Sequence, residues 1–152
     1  NLMYTLKRTD SENSDFQLLV QELDIDLEIR NGAENDFFSQ YNKTDFIEHV
    51  IVAYENNKAA GCGAIKEYEE EIVEIKRMFV CADKTGKGIA TKILNELQVW
   101  AKEQGYKKCI LETGDKMIEA IRLYKNNGFK VITNYGQYLK VDNSICFEKK
   151  IT

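Results

Sequence analysis

The stretch KTGKGIATKIL, residues 84–94, places two glycines among lysines directly before an apolar helical pattern. The first amide groups of a helix have no partner inside the helix, and the helix dipole favours negative charge near them. Glycine lets another group approach the backbone closely, and Lys84, Lys87 and Lys92 add positive charge. The stretch is therefore suited to hold a dianion such as pyrophosphate at a helix that begins near Gly88. The alternative is an ordinary glycine-containing helix start with solvated lysines.

Two known phosphate-binding motifs with similar glycines do not fit this stretch. The P-loop pattern requires a glycine five positions before Gly-Lys-Ser/Thr, but for Gly86-Lys87 that position is Cys81 and the following residue is Gly88. The dinucleotide-binding fingerprint requires glycine or alanine where this chain has Thr91, and its strand should open a parallel βαβ unit. The sequence thus argues against nucleotide hydrolysis and hydride transfer.

The composition is that of an ordinary globular domain. The chain has 152 residues, of which 43% are hydrophobic and 30% charged, and we expect a single domain over residues 3–152. A net charge of −4 argues against a broad basic face for nucleic acid. No apolar run has the length of a membrane span or the pattern of a signal peptide. We expect a cytoplasmic protein with neither nucleic acid nor membrane as a partner, and the sequence allows a homodimer.

Cysteine and histidine give no metal-binding pattern. The cysteines form no CxxC pair, and His49 is the only histidine. The sequence therefore predicts no metal site, and it predicts small buried thiols in a reducing compartment. The cysteines are Cys62, Cys81, Cys109 and Cys146.

Hydrophobic periodicity predicts alternating strands and helices around the glycine-rich stretch. Residues 49–55 and 59–68, joined by Asn56-Asn57, read as a hairpin that continues into a third antiparallel strand over 71–80. We therefore expect an α/β (α+β) fold with a mixed sheet and helices on both faces. The other predicted strands cover 3–8, 107–113, 129–135 and 144–151. The predicted helices are one capped by Ser11 or Ser14, one around 34–42, one from the glycines to Gly105, and one over 115–127.

With these elements in order, the sequence resembles the GCN5-related N-acetyltransferase (GNAT) superfamily over essentially its whole length. The family's pyrophosphate motif, Arg/Gln-x-x-Gly-x-Gly/Ala after the fourth strand, corresponds to residues 85–90, with Thr85 at the first position. A second signature, LYKNNGF at 123–129, matches the family's Leu-Tyr-x-x-x-Gly-Phe. The stretches EIKRMFV and CILETG add to the resemblance, whereas Met117 stands where the family usually has asparagine. The resemblance implies a mixed, mostly antiparallel sheet of about six to seven strands.

The resemblance also implies acetyl-CoA as the donor and an amine as the acceptor. In the family the pantetheine arm lies beside the fourth strand and hydrogen-bonds its free backbone like an added strand. An amide there, that of Phe79 or Val80, would polarise the thioester oxygen. The residues implied in donor binding are Met78, Phe79, Val80, Thr85, Gly86, Lys87, Gly88, Ile89, Ala90 and Thr91.

The acceptor amine requires a base, because an alkyl ammonium with a pKa of about 10.4 cannot attack a carbonyl. Glu74 precedes Met78 by four residues, where several family members keep a glutamate base. Strand alternation would put Glu74, Lys76, Met78 and Val80 on one face, barring a bulge. The alternative for Glu74 is a solvated strand residue beside an acidic turn. His49 is a weaker candidate, since a lone histidine in an apolar strand is more often a core residue.

Three tyrosines complete the candidate site. Tyr124, in LYKNNGF, is either the proton donor to the coenzyme A thiolate or a core aromatic residue of an amphipathic helix. Tyr135 and Tyr138 lie in NYGQY, between the closing strands, where the family often builds its acceptor wall.

Two acidic regions bear on the choice of acceptor. The turn at 67–71 and the helix residues Asp24, Asp26 and Glu28 could attract a cationic acceptor, or they could be solvated faces.

The function expected from the resemblance is direct transfer of an acetyl group from acetyl-CoA to a primary amine of a small molecule or peptide. The alternative is a non-catalytic module that senses acyl-CoA. Thr85 and Met117, which depart from the family pattern, favour the sensor, whereas Tyr124 and Glu74 favour the enzyme.

Overall fold

A seven-stranded sheet carries the fold in the computed structural model, which describes residues 4–31, 45–86 and 88–152. The strand order is β1-β2-β3-β4-β5-β7-β6, and only β4 and β5 are paired in parallel. The mixed, mostly antiparallel sheet is therefore confirmed. The strands are β1 (Tyr4–Thr9), β2 (His49–Glu55), β3 (Lys58–Glu69), β4 (Ile72–Val80), β5 (Lys108–Gly114), β6 (Lys130–Ile132) and β7 (Ser144–Lys150). The helices are α1 (Ser14–Asn31), α2 (Ile89–Glu103) and α3 (Ile118–Asn126), with short 3-10 turns at Ala82–Lys84 and Gly136–Tyr138.

The first four strands form an antiparallel meander, as the sequence predicts. Asn56 and Asn57 connect β2 to β3 with φ of 50° and 71°. Asparagine tolerates this left-handed conformation, which the tight turns of hairpins require. The predicted hairpin is confirmed.

The helices differ from the prediction at their ends. Asn13 caps α1, because its Oδ1 accepts a hydrogen bond from the Phe16 amide at 2.9 Å. The predicted cap at Ser11 or Ser14 is wrong: the Ser11 hydroxyl accepts instead from the Ile47 amide at 2.8 Å, and Ser14 begins the helix itself. The last helix starts at Ile118 and is shorter than predicted. The helix predicted around residues 34–42 lies outside the described residues.

Each face of the sheet packs against a different helix. On one face α2 buries Ile89, Ile93 and Leu97 against the strands. On the other face α1 buries Phe16 and Leu19. Helices therefore cover both faces of the sheet.

A bulge in β4 sets the direction of its side chains. Cys62 pairs with Phe79 and Ala64 with Lys76, so Gly63 faces two residues, Arg77 and Met78. Arg77 has φ of 60°, and the Cys62 thiol donates a hydrogen bond to its carbonyl oxygen at 3.3 Å. A Cβ on Gly63 would lie 2.8 Å from side-chain atoms of both Ile93 and Leu97, so glycine is required where α2 packs this closely.

The bulge corrects one prediction about β4. Met78 and Val80 pack in the α2 layer, together with Val73 and Ile75. Alternation places Glu74 and Lys76 on the α1 face, where Phe79 also packs. Glu74 and Lys76 therefore do not share a face with Met78 and Val80, because the extra residue at the bulge reverses the alternation.

The centre of the sheet opens between its two parallel strands. β4 and β5 pair only from Ile72 to Glu74 on one strand and from Lys108 to Ile110 on the other. Beyond these residues β4 continues to Val80 and β5 to Gly114 without further pairing between them in the part of the chain described. A gap through the sheet results, with the two helix layers on either side.

Candidate active site

A cavity of about 110 Å³ lies in this gap. Both helix layers and both separating strands contribute to its wall, so it joins the two faces of the sheet. The lining residues are Leu23 and Leu27 of α1, Glu74 to Met78 of β4, Glu112 to Gly114 of β5, Met117, Ala120 and Tyr124 at α3, and Tyr138.

Glu74 is a buried carboxylate with two partners. The Tyr135 hydroxyl donates a hydrogen bond to Glu74 Oε2 at 2.5 Å, and Lys76 Nζ lies 3.7 Å from Oε1. Burial, and then the charge of Glu74, raise the pKa of Tyr135, which keeps the phenol protonated as a donor. Glu74 is therefore part of the cavity wall rather than a solvated strand residue.

A second carboxylate, Glu112, faces the same cavity and was not singled out from the sequence. Burial raises its pKa from 4.5 to about 7; the Glu74 charge adds to this, and the hydroxyl of Ser144, which donates to Oε2 at 2.7 Å, opposes it. Glu112 interrupts an otherwise apolar strand, CILETG, and an acidic residue inside a buried strand is the signal that could have identified it. The site holds two acidic groups, not one.

Tyr124 is both buried in the core and exposed to the cavity. Its ring packs in the α2 layer, with centroids 5.9 Å from Phe129 and 5.7 Å from Phe147. It also lines the cavity, and burial together with the charge of Glu112 raises the pKa of its hydroxyl. Tyr124 is thus a core residue whose ring reaches the cavity wall.

The two tyrosines predicted for the acceptor wall have different places. Tyr138 lines the cavity directly and is buried. Tyr135 stands behind Glu74 and packs edge-on against Tyr68 and Tyr138, with ring centroids 5.2 and 5.8 Å away. Tyr135 is therefore placed to orient Glu74.

The glycine-rich turn before α2 is open, and its glycines have a left-handed conformation. Gly86 and Gly88 have φ of 78° and 80°, and no atom lies within 4 Å of where a Cβ would stand at either residue. The first hydrogen bond of the helix runs from the Lys92 amide to the Gly88 carbonyl. The amides of Ile89, Ala90 and Thr91 precede it and have no acceptor within the helix. The backbone thus offers a set of donors without partners inside the helix.

The lysines of this turn contribute less free charge than the sequence suggests. Lys84 Nζ lies 2.7 Å from the buried carboxylate of Glu55, and Lys92 Nζ lies 4.7 Å from the centre of the Tyr4 ring. Lys87 lies outside the described residues. Thr85 directs its hydroxyl to the Ala82 carbonyl at 3.0 Å. In the described part of the turn, the donors that remain available are backbone amides.

The edge of β4 that faces the gap provides further backbone donors. The Cys81 amide donates to the Ala60 carbonyl of β3 at 2.9 Å. Alternation along an antiparallel pair then directs the Phe79 amide toward β3 and the Val80 amide toward the gap. Of the two amides considered from the sequence, that of Val80 is available to a ligand between β4 and β5.

The remaining candidates from the sequence lie away from the cavity. His49 packs edge-on against Trp100, with ring centroids 4.7 Å apart. All four cysteines are free; Cys62, Cys109 and Cys146 are buried, and Cys81 is half-buried. Among residues 4–31, 45–86 and 88–152, no group of three His, Cys, Asp or Glu side chains is arranged to hold a metal ion, and no helix is long and apolar enough to cross a membrane.

Comparisons with known proteins agree with this architecture. The profile of the acetyltransferase (GNAT) family matches residues 12–129. The uncharacterized N-acetyltransferase YsnE of Bacillus subtilis is 35% identical over 101 residues, which cover 65% of this chain and 67% of that protein. A Klebsiella pneumoniae structure assigned as an acyl-CoA N-acyltransferase has a TM-score of 0.80 at 26% identity, covering 99% of both chains. A GNAT-family acetyltransferase from Elizabethkingia anophelis, solved with acetyl-CoA bound, shares the fold with a TM-score of 0.70 at 19% identity over 97% of each chain.

Proposed function

The chain belongs to the acetyltransferase (GNAT) family and is an N-acetyltransferase, and on this premise we propose that it transfers an acetyl group from acetyl-CoA directly to a primary amine of a small molecule or peptide. The observation that carries the proposal is the gap between β4 and β5. It brings Glu74, Glu112 and Tyr124 to one cavity, beside a strand edge whose backbone is free.

The donor would be held mainly by backbone groups. Pyrophosphate fits the turn at Gly86 and Gly88, because the turn leaves open space and the amides of Ile89 to Thr91 point out of the helix start. A pantetheine arm fits the free edge of β4, where it can pair like an added strand. Coenzyme A bound to the Elizabethkingia relative as its acetyl thioester supports the choice of donor.

Acetyl-CoA would supply a thioester carbonyl, which the neutral amine attacks so that a C–N bond forms and the C–S bond breaks. The Val80 amide can donate to the carbonyl oxygen as negative charge develops there. Tyr124 lines the cavity with a hydroxyl that is protonated at neutral pH, and it can give that proton to the departing sulfur.

Proton removal from the ammonium falls to the carboxylates of the cavity. We assign the base role to Glu74, which the Tyr135 hydroxyl and Lys76 hold in place. Glu112, whose pKa of about 7 lies close to neutral pH, can share the ammonium with Glu74 or take up the proton after it. The proton would then be released to solvent.

Thiol release from acetyl-CoA across a panel of primary amines and peptides tests the proposal. We expect acetyl-CoA-dependent release with at least one acceptor, and mass spectrometry should find the acetyl group on the amine nitrogen. Tight binding of coenzyme A with no release on any acceptor would contradict the proposal.

A further inference from the structure

Arg77 is a buried cation whose hydrogen-bonding capacity is largely unused. Its side chain is only 2% exposed, and Nη1 makes one long contact of 3.5 Å to Asp24 Oδ1. Its Nε and Nη2 are buried, and neither has a hydrogen-bond partner in the part of the chain described. Buried polar groups are almost always satisfied, since an unsatisfied donor loses its bonds to water without replacement. An unpaired half of a buried guanidinium therefore calls for a partner.

Asp24 cannot be the whole explanation. Its side chain is 53% exposed, so water competes for its carboxylate, and the 3.5 Å separation is longer than a charge-assisted hydrogen bond. It leaves free the Nε and Nη2 pair, the two parallel donors that match the two oxygens of a carboxylate.

The bulge in β4 directs Arg77 into the candidate active site. Arg77 has φ of 60°, a conformation that is strained for a residue with a side chain. It lines the cavity beside Lys76, on the same wall as Glu74 and opposite Glu112 of β5. The cavity thus carries two carboxylates, Glu74 with its partner Lys76 and Glu112 on β5, and the guanidinium of Arg77 three residues beyond Glu74 on β4.

This distribution of charge fits a ligand that carries both signs. An ammonium would lie at Glu74 and Glu112, and an anionic group at Arg77. Glu74 and Arg77 are three residues apart on β4, at most about 10 Å between their Cα atoms, and both line the cavity, so a short ligand can contact both.

We propose that the acceptor is an amino acid or a similarly short amine that bears a carboxylate, which Nε and Nη2 of Arg77 bind as a pair. The proposal rests on the proposed acetyl transfer and narrows its acceptor to amine–carboxylate compounds. Arg77 sets specificity and takes no part in the chemical step.

Matched acceptors test this without any mutation. Thiol release from acetyl-CoA is measured with L-amino acids, with the carboxamide of each, and with the amine that lacks the carboxyl group. The amide has the less basic amine and would react faster if no site recognised the carboxylate. We expect kcat/KM at least tenfold higher for the acid than for its amide. Equal or faster turnover of the amides would overturn the proposal while leaving acetyl transfer intact; no release with any acceptor would overturn both.

Substitution of Arg77 tests whether this residue causes the preference for the acid over its amide. Arg77→Gln should lower kcat/KM for the acid about 10- to 100-fold relative to its amide, mainly through KM, because a charged hydrogen-bond pair is lost. Arg77→Lys should recover part of the preference, since it keeps the charge but not the paired donors. Arg122→Gln, which removes an exposed arginine of α3, is the matched control and should keep the wild-type ratio. An unchanged ratio in Arg77→Gln would overturn the assignment.

Inhibition of the wild-type protein by acceptor analogues tests the carboxylate site even if Arg77→Gln does not fold. The deaminated analogue of the best amino acid, which keeps only the carboxylate, should inhibit competitively with the acceptor, and its amide should not. Equal inhibition by the two analogues would contradict a carboxylate site.

Discussion

The two halves of the proposed active site are built in different ways. The proposed donor side, Val80 with the turn at residues 85–86 and 88–91, offers backbone amides. The proposed acceptor side, Glu74, Lys76, Arg77, Glu112 and Tyr138, lines the cavity with side chains from β4, β5 and the segment before β7. A backbone-built site should be insensitive to most side-chain changes and sensitive to changes in φ. A side-chain-built site should lose function when single atoms are removed.

Tyr124 lines the cavity from α3. We expect removal of its hydroxyl to have the largest effect on turnover. Tyr124→Phe keeps the ring and its packing against Phe129 and Phe147. Loss of the proton donor should lower kcat on the order of 10²-fold or more. Coenzyme A affinity by calorimetry and the melting temperature should stay close to wild type.

Tyr106→Phe is the matched control for this change. The Tyr106 hydroxyl donates to Glu67 at 2.8 Å on the surface, away from the cavity, so its removal should leave kcat unchanged. Wild-type turnover by Tyr124→Phe would return Tyr124 to a structural role, as would a loss confined to stability.

Glu112 on the acceptor side should affect stability in a pH-dependent way. Its folded pKa of about 7 lies above the ordinary 4.5, so between these values the unfolded chain gives up a proton that the folded protein keeps. Stability from this group is therefore present at low pH and lost as pH rises toward 7, by at most about 3 kcal/mol. Glu112→Gln cannot ionise, so its gain in melting temperature over wild type should grow between pH 5 and 8.

An exposed carboxylate provides the comparison for Glu112. Glu70 is exposed in the turn between β3 and β4. The melting temperature of Glu70→Gln should therefore change with pH as that of the wild type does. A Glu112→Gln gain that is the same at every pH would mean that folding does not raise the pKa of Glu112.

We expect the next largest effect from substitution of Glu74, in the catalytic rate and not in stability. At pH 7 an amine with a pKa of about 10.4 is almost wholly protonated, so Glu74→Gln should lower kcat/KM on the order of 10²-fold. Each unit of pH adds tenfold more free amine, so the deficit should shrink toward pH 9. Rate profiles from pH 6.5 to 9.5 measure this, with the exposed Glu69→Gln as control. A profile parallel to wild type would move the base role to Glu112.

The difference between the two sides also explains what the sequence could predict. The strands, the Asn56-Asn57 turn and the glycine-rich helix start follow from local patterns, and the family motifs of the donor side lie within such a stretch. The bulge has no such signal: it depends on Gly63 and Cys62 of the neighbouring strand, and it reverses the facing of Met78 and Val80.

The acceptor side was only partly predicted for the same reason. Glu74 and Tyr138 were identified through the family resemblance, and the structure brings both to the cavity. Glu112 depends on Ser144, which is 32 residues away in the chain, and Arg77 reaches the cavity only because of the bulge. Pairings between distant segments leave no periodic pattern in the sequence.

Substitution of Gly88 tests the donor side, where backbone amides are the proposed contacts. We expect its effect to be the smallest. Gly88 and Gly105 have φ of 80° and 92°, and no atom lies within 4 Å of the Cβ position of either. Alanine at either residue should therefore cost a similar 1–2 kcal/mol or so of backbone strain. Only Gly88→Ala changes the turn that presents the amides of Ile89 to Thr91, so it should weaken coenzyme A binding about tenfold, or about 1.4 kcal/mol. Calorimetry compares the two variants with Thr85→Ala, which removes a side chain of the same turn and should bind nearly as wild type. Equal affinities in Gly88→Ala and Gly105→Ala would exclude the turn from the donor site, whereas a large loss in Thr85→Ala would show that side chains matter on the donor side as well.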